Sequence, residues 1–441
     1  MYKSAKLAAA AALAFCVSSV VVAESAGPKQ VEIVKNSGVY QLLVNGEPFA
    51  VKGVGGSNID TMELLVSVGG NSVRTWNAHS ADALLAQAQK HGVMVALGFD
   101  TEKELHGFDY NDTVAVAEQF ERFKATVDKY KNHPNLLAWV VANEPNLLFN
   151  EDGSLKDVNP RVYQSINAMI EYIHQNDPYH PVTYTFAGAS EKHIKTALKY
   201  TPDVDFISVQ LYGDVGELPR IIEGHNIDKP YMVTEYGAIG HWERPTTEWG
   251  REIEEPSGVK ARTLAQRMND AFAGNPTGKV IGSYAFLWGQ KQERTPTWYG
   301  MFNADGKPNA RVDELSRFWT GEYPLNRAPL AFAIRMNEKT ATDSVYVAPG
   351  AKVRVEVDVK DPDSDTLEYQ WVLLKEVQIR SQGGAFEQKP DAMDIAVVEE
   401  APGVLVFQAP EAEGDYRIFS YTYDGKGKVG NANFPFYVKS N

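Results

Sequence analysis

Two glutamates, each placed just after a short apolar run, are the residues of this sequence best suited to chemistry. The apolar residues 136–142 lead into Glu144, and residues 231–234 lead into Glu235. Burying an ionisable group beside an apolar strand is costly unless a partner compensates it, so folding alone explains these carboxyls poorly. Cleavage of a glycosidic bond with retention of configuration needs two carboxyls about 5–5.5 Å apart, one as nucleophile and one as general acid and base. The pair therefore predicts this chemistry if the fold brings both glutamates to one cavity.

Short apolar runs alternate with amphipathic stretches through residues 27–325. The runs are residues 49–55, 72–76, 93–99, 136–142, 181–186, 206–212, 231–234 and 280–288. Helical spacing is clearest in residues 82–91, 114–130, 161–175 and 258–273. This alternation predicts an α/β fold with a parallel sheet, and eight repeats favour a closed (β/α)8 barrel over an open sheet. Glu144 then ends the fourth strand and Glu235 the seventh, on opposite sides of the barrel mouth.

The regions on either side of the barrel have different patterns. Before it, the Asn45-Gly46 pair predicts a tight hairpin turn at the closed end of the barrel. After it, residues 328–441 show alternating strands separated by turn residues, which predicts an Ig-like β-sandwich as an accessory domain. Within this domain, Asp361, Asp363 and Asp365 have the alternating oxygens that calcium prefers, although an acidic turn explains the same spacing.

Residues 1–23 are predicted to be an export signal, which places the protein outside the cell or in the periplasm. Lys3 and Lys6 precede an apolar stretch, and small residues ending at Ala23 offer a cleavage point. A membrane anchor and a lipoprotein modified at Cys16 are the alternatives. Cys16 is the only cysteine, so its removal with the signal would leave no disulfide and no cysteine-based metal site.

Charge and spacing argue against several other classes of protein. A net charge of −14 disfavours nucleic acid and anionic membranes as partners. No long apolar run follows the signal, so we expect no membrane span in the mature protein. The nine histidines form no zinc-hydrolase spacing, and we predict neither a metal in the active site nor a cofactor. A glycine-rich stretch beginning at Gly53 lacks the third glycine of a dinucleotide-binding motif, because Asn58 stands in its place.

Two motifs carry a family resemblance. Asn143-Glu144-Pro145 and Thr234-Glu235-Tyr236-Gly237 resemble the signature of the large clan of retaining glycosidases built on (β/α)8 barrels, which includes glycoside hydrolase families 2 and 5. Residues 45–56 and 70–76 are similar to the barrel entrance of family 2 and of fungal β-1,3-glucan transglycosylases. The resemblance implies that Glu144 is the acid/base and Glu235 the nucleophile. It also implies that Asn143 binds the sugar 2-hydroxyl.

The same resemblance suggests further substrate-binding residues. Arg74 would neutralise and orient Glu235, and Tyr212 would donate its hydroxyl to that carboxylate. Trp288 would form the floor under the sugar that is cleaved. Trp76 and Trp298 could stack on sugars in neighbouring subsites, a prediction that rests on composition and position.

Several residues near the strand ends keep two interpretations. Gln210 is either a substrate contact or a hydrogen-bonded core amide. His79 and Asp100 are possible sugar contacts. The segment 240–256, with Trp242 and Trp249, is expected to shape the cleft.

These observations favour a retaining β-glycosidase that cleaves a polysaccharide or oligosaccharide, with a β-glucan as the expected substrate. A β-glucan transglycosylase that passes the glycosyl group to another sugar is one alternative. A non-catalytic carbohydrate-binding barrel is another, although a binding protein needs no pair of opposed carboxyls. The sugar, its linkage, endo or exo action and the oligomeric state do not follow from the sequence.

Overall fold

The computed structural model of the protein describes residues 27–440 except Ser57 and Gln382. The predicted export signal and Cys16 lie outside these residues. Within them, no helix combines the length and the apolarity that crossing a membrane requires.

A three-stranded antiparallel sheet opens the described chain. Its strands are β1 (Val31–Asn36), β2 (Val39–Val44) and β3 (Glu47–Pro48). Asn45 and Gly46 both have positive φ, at 52° and 80°, which gives the predicted tight turn between β2 and β3. Leu42 and Val31 pack with Met94 and Met232 from inside the barrel. The small sheet therefore covers the end of the barrel where the strands begin.

The central sheet is a (β/α)8 barrel. Its strands are β4 (Val51–Gly55), β5 (Ser72–Arg74), β6 (Met94–Gly98), β7 (Leu136–Val140), β8 (Val182–Thr183), β9 (Thr185–Ala187), β10 (Ile207–Gln210), β11 (Tyr231–Gly237) and β12 (Val280–Phe286). All neighbours in this sheet run parallel, in the order β8-β7-β6-β5-β4-β12-β11-β10-β9. The short strands β8 and β9 are two parts of the fifth barrel strand, interrupted at Tyr184. The ring closes there, because Val141 N donates to Thr183 O and Thr185 N donates to Ala142 O.

Eight helices accompany these strands in the described chain. They are α1 (Met62–Ser67), α2 (Ala81–His91), α3 (Thr113–Tyr130), α4 (Pro160–Asn176), α5 (Glu191–Leu198), α6 (Leu218–His225), α7 (Ser257–Phe272) and α8 (Ala310–Thr320). The strands β6 and β7 are buried along their whole length. This double burial is why they read as unbroken apolar runs.

The C-terminal region is a sandwich of two sheets. Its strands are β13 (Leu330–Met336), β14 (Tyr346–Val347), β15 (Lys352–Lys360), β16 (Glu368–Lys375), β17 (Ala392–Met393), β18 (Ala396–Ala401), β19 (Val404–Gln408), β20 (Gly414–Tyr423) and β21 (Val429–Val438). The sheet orders are β13-β15-β19-β18 and β14-β21-β20-β16-β17. This arrangement is that of an immunoglobulin-type sandwich, as the alternating pattern predicted.

The two domains share buried contacts. Ile253, from the barrel loop after β11, packs in the core of the sandwich with Val353 and Phe434. Trp249 from the same loop packs edge-to-face on Tyr346 and Tyr437. The loop that follows the seventh barrel strand is thus anchored in the C-terminal domain.

Candidate active site

The carboxylate of Glu235 lies at the end of β11 and accepts four hydrogen bonds. Its Oε1 accepts from Arg74 Nη1 at 2.6 Å, Trp76 Nε1 at 2.6 Å and Gln210 Nε2 at 2.8 Å. Its Oε2 accepts from Tyr212 OH at 2.7 Å. Arg74 is fully buried, so its charge offsets that of Glu235 in a dry environment. The structure brings both residues predicted to hold this carboxylate, Arg74 and Tyr212, into direct contact with it.

The second carboxyl, Glu144, is held by its backbone. Its N–H donates to the carbonyl of Thr185 at 3.1 Å and to the Thr185 hydroxyl at 3.0 Å. Its φ is +51°, a left-handed conformation that is uncommon for glutamate. Such conformations cost about 1–3 kcal/mol and persist where surrounding bonds impose them, most often at functional sites.

The two carboxyls have different electrostatic environments. Burial, followed by the negative charge of Glu235, raises the pKa of Glu144 to about 7. The two carboxyls are therefore close enough for the charge of one to act on the other. Glu144 is therefore suited to hold a proton near neutral pH, whereas Glu235 is surrounded by donors. Carboxyls with contrasting environments are the usual basis for assigning acid and nucleophile.

Asn143 connects the two sides of the site. Its Oδ1 accepts from Arg74 Nη2, from Gln210 Nε2 at 2.8 Å and from the Thr185 hydroxyl at 3.2 Å. Three donors on one oxygen fix the orientation of the amide. The Asn143 Nδ2 donates to no described residue, which leaves it available for a hydroxyl of a substrate.

Gln210 and Arg267 support this geometry, and neither role was evident in the sequence. Gln210 donates to both Asn143 and Glu235, so it bridges the side chains of the two motifs. Its place two residues before Tyr212, in the same apolar run of the sequence, gave the only signal. Arg267, on α7, donates to the carbonyls of Tyr212 and Gly237 and thereby ties the ends of β10 and β11 together.

The aromatic residues around Glu235 differ from the prediction. Phe286, the last residue of β12, packs edge-to-face on Trp76 with ring centroids 5.6 Å apart and on Tyr212 at 6.0 Å. Trp288 is only 2% exposed, donates its Nε1 to Thr61 and packs on Phe302. The prediction that Trp288 forms the floor of the sugar site is therefore wrong. The strand ends at Phe286, and the chain beyond it turns Trp288 into the core.

The two remaining predicted tryptophans have separate positions. Trp76 is half-buried and reaches Glu235 directly, beneath the Arg74 guanidinium at 4.9 Å from its ring. Trp298 is 2% exposed and donates its Nε1 to the carbonyl of Ile239. Trp298 therefore supports the aromatic cluster from behind, and its prediction as a stacking surface for sugar is wrong.

The outer part of the mouth has one exposed aromatic side chain next to Tyr212. Trp242 is 61% exposed and packs edge-to-face on Tyr212 at 5.5 Å. Trp249 from the same loop points into the sandwich and does not shape the cleft. His79 and Asp100 are exposed, and within the described chain neither forms a hydrogen bond or ion pair with Glu144 or Glu235.

The aspartates singled out in the sandwich do come together. One oxygen of each of Asp361, Asp363 and Asp365 lies within 4.8 Å of the others. Lys426 pairs with Asp365, and the backbone N–H of Arg327 donates to Asp363. These contacts are those of an acidic turn, and exposed groups of this kind are common without an ion.

Comparisons with known proteins agree with this architecture. Residues 62–246 match the family model described as glycosyl hydrolases family 2, TIM barrel domain. A β-glucuronidase of Paenibacillus borealis is 24% identical over 336 residues, which cover 64% of this chain and 51% of that protein. A probable mannan endo-1,4-β-mannosidase C of Aspergillus terreus is 29% identical over 154 residues, which cover 30% of this chain and 38% of that protein.

A solved structure shares the fold. The structure of Bacteroides uniformis β-glucuronidase 2, covalently bound to cyclophellitol-6-carboxylate aziridine, aligns with a TM-score of 0.53 at 15% identity and covers 93% of this chain and 48% of that one. The chain spans about half the length of the β-glucuronidases that it matches. The barrel of this chain, over residues 62–246, is thus similar to the TIM barrel domain of family 2 glycosyl hydrolases, and its curated relatives include β-glucuronidases.

Proposed function

We propose that this chain is a retaining β-glycosidase in which Glu235 is the nucleophile and Glu144 the acid/base. The observation that carries the proposal is the asymmetry of the two carboxyls. Glu235 is bound by Arg74, Trp76, Gln210 and Tyr212, whereas Glu144 has a pKa of about 7 because of its burial and the charge of Glu235. One carboxyl is thus held for attack and the other is prepared to donate a proton.

The reaction would proceed by double displacement. A Glu235 oxygen attacks the anomeric carbon while Glu144 protonates the leaving oxygen, which releases the aglycone and forms a glycosyl-enzyme ester. Glu144, now ionised, takes a proton from a water molecule, and that water attacks the same carbon and restores Glu235. During both steps Asn143 Nδ2 would donate to the sugar 2-hydroxyl, a contact that strengthens in the transition state.

The identity of the sugar is a separate proposal. A β-glucan is the first candidate. A β-glucuronide is the second candidate, because the curated relatives include β-glucuronidases and because the positive charge of Lys103 is close enough to act on Glu144. Lys103 forms no side-chain ion pair or hydrogen bond with the described residues, so its ammonium could receive an acidic substrate.

Secretion or periplasmic location is also part of the proposal.

The test is Glu235→Gln, with Glu63→Gln on the exposed surface of α1 as the control. We expect a loss of kcat of at least about 10³-fold in the first variant and unchanged activity in the second. Substrates would be 4-nitrophenyl β-glucoside, β-glucuronide, β-mannoside and β-galactoside together with β-linked polysaccharides. Ligand affinity measured by calorimetry should survive in Glu235→Gln.

Three outcomes would contradict parts of this proposal. Full turnover by Glu235→Gln would exclude Glu235 as the nucleophile. An inverted anomeric product, observed by NMR, would exclude retention. Glycosyl transfer that exceeds hydrolysis at high sugar concentration would instead identify a transglycosylase.

A further inference from the structure

A segment of the C-terminal sandwich reaches the barrel mouth. Residues 383–387, in the connection between β16 and β17, lie against loops that follow three barrel strands. We call these residues the docking segment. The side chains that it meets are Leu105, after β6, Leu147, after β7, and Lys291 and Arg294, after β12.

Glu387 anchors the docking segment to the barrel. Its side chain is 4% exposed and accepts from Gln292 Nε2 at 3.0 Å, from the backbone N–H of Arg294 at 2.7 Å and from Arg294 Nη1 at 3.2 Å. It also accepts from the backbone N–H of Ser381 at 3.0 Å. A buried carboxylate with this many donors holds two chain segments in one geometry.

Gly383 brings the segment into close contact with the acid/base side of the site. A Cβ at Gly383 would lie 2.7 Å from Leu105 Cδ2 and 3.1 Å from Leu147 Cδ2. The backbone N–H of Leu147 donates to the carbonyl of Glu144 at 3.0 Å. The segment therefore packs on the turn that carries Glu144.

A second contact of the docking segment, with Lys291, also connects it to the Glu144 side of the site. Gly384 lies close to Lys291, which pairs with Glu293 at 2.6 Å. The charge of Glu293 is one of the influences that raise the pKa of Glu144. Phe386, next to the anchor, is 85% exposed. Phe386 lies in the chain between Gly384 and Glu387, both of which contact the loop after β12, and its exposed ring is free to contact a ligand there.

We propose that the docking segment forms the wall of the cleft on the leaving-group side, where Phe386 contacts a sugar residue that is about to leave. This inference rests on the proposed function, because Glu144 protonates the leaving oxygen and so marks that side. The C-terminal domain is then part of the substrate site and determines which aglycones bind. Small aryl leaving groups make little use of this wall, whereas an oligosaccharide extends across it.

The test compares Gly383→Ala with Gly384→Ala in the full chain. Both glycines have positive φ, at 58° and 78°, so both variants carry similar backbone strain. A Cβ at position 383 would displace the ends of the Leu105 and Leu147 side chains, whereas at position 384 the nearest contact is Lys291 Nζ at 3.6 Å. The readout is kcat/KM for a disaccharide and for the 4-nitrophenyl glycoside of the same non-reducing sugar.

We expect Gly383→Ala to lower kcat/KM for the disaccharide about 10-fold or more, mainly through KM, with less than a threefold change for the aryl glycoside. Gly384→Ala should leave kcat/KM unchanged for both substrates. Phe386→Ala should reproduce the selective loss without disturbing the backbone. Its control is Val398→Ala, an exposed apolar residue on β18.

Equal effects on both substrates, or no effect of Gly383→Ala and Phe386→Ala on the disaccharide, would overturn the inference. These outcomes are distinct from failure of the proposed function, which would appear as turnover by Glu235→Gln. Loss of folding in Gly383→Ala would leave Phe386→Ala to decide.

Discussion

Two residues of one chemical type have different environments here because their neighbours differ. Glu235 faces a guanidinium, an indole, an amide and a phenol. Glu144 is half-buried, has no side-chain donor among the described residues, and lies close enough to Glu235 to be affected by its charge. Tyr212 remains a donor near neutral pH because burial, followed by the charge of Glu235, raises its pKa well above the usual value.

The raised pKa of Glu144 predicts how activity depends on pH. The acid must be protonated at the first step, so kcat/KM should fall as pH rises through about 7. In Glu144→Gln, assayed with an activated aryl glycoside that needs no proton, this alkaline limb should disappear. A fall of kcat/KM at alkaline pH that persists in Glu144→Gln would show that another group causes it.

The raised pKa of Glu144 also predicts how the stability of the folded protein depends on pH. Between its unfolded pKa and about 7, the folded protein binds more protons at Glu144 than the unfolded chain does. The free energy of unfolding should therefore decrease as pH rises through this window. Glu144→Gln lacks this decrease. The free energy of unfolding of Glu144→Gln minus that of the wild type should therefore be about 1–3 kcal/mol larger at pH 8 than at pH 4.5. Urea unfolding at the two pH values measures the difference, and an equal gap at both would contradict the assignment.

The hydroxyl of Tyr212 offers a second test at this site. Tyr212→Phe removes one of four donors to Glu235, and we expect a loss of about 10–100-fold in kcat, since one positioned donor is typically worth a few kcal/mol. Tyr284→Phe is a matched control, because its buried hydroxyl bonds only to Ser72 among the described residues. Both variants lose one buried hydrogen bond, but only the first should reduce turnover. Equal kinetic losses would indicate a structural effect.

The barrel strands and the turns that follow them position these side chains. Parallel strands deliver Arg74, Asn143, Tyr212 and Glu235 to one edge, because the carboxyl ends of barrel strands meet there. The turns beyond the strands add the finer placement. Thr185, at the start of the second part of the fifth strand, binds both the backbone of Glu144 and the amide of Asn143. The break in that strand therefore lies beside Glu144, the proposed acid/base.

The loops after β11 and β12 serve two domains at once. The first carries Trp242 to the mouth and Ile253 into the sandwich core. The second carries Glu293 toward Glu144 and Arg294 to Glu387. Their conformation depends on the C-terminal domain as much as on the barrel.

For the molecule as a whole, the two domains are joined by buried charge. Glu254, on the barrel side, is 4% exposed and accepts from Lys260 and from Asn433 Nδ2 at 2.6 Å. Arg417, on β20, pairs with Glu376 at 2.7 Å and donates to the carbonyl of Glu252 at 2.9 Å. Removal of one member of such a network leaves its partner buried and uncompensated.

Arg417→Met should therefore destabilise the protein by about 3–5 kcal/mol, because Glu376 keeps its charge in a buried position. Arg354→Met is the control, since Arg354 and Glu356 form an exposed pair whose loss should cost about 1 kcal/mol or less. Urea unfolding followed by tryptophan fluorescence compares the two. A difference of less than about 1 kcal/mol between the variants would show that the interface network contributes little.

Residue order and periodicity were sufficient for the barrel, the sandwich and the strand ends. Apolar runs predict buried strands, and a residue just beyond a parallel strand lies at the barrel mouth whatever the loops do. Glu144 and Glu235 were found in this way, whereas Asn143, Arg74 and Tyr212 were suggested by the family resemblance; the structure brings these residues together. Their catalytic roles remain predictions.

The positions of Trp288, Trp298, Phe286 and the docking segment followed only from the three-dimensional packing. Trp288 and Phe286 have the same strand parity, but the strand ends between them, and the path of the chain afterwards turns one ring to the site and the other to the core. The contact between Glu387 and Arg294 joins residues 93 positions apart. Such contacts leave no local periodicity, because the free energy that fixes them comes from surfaces that meet only once both domains have folded.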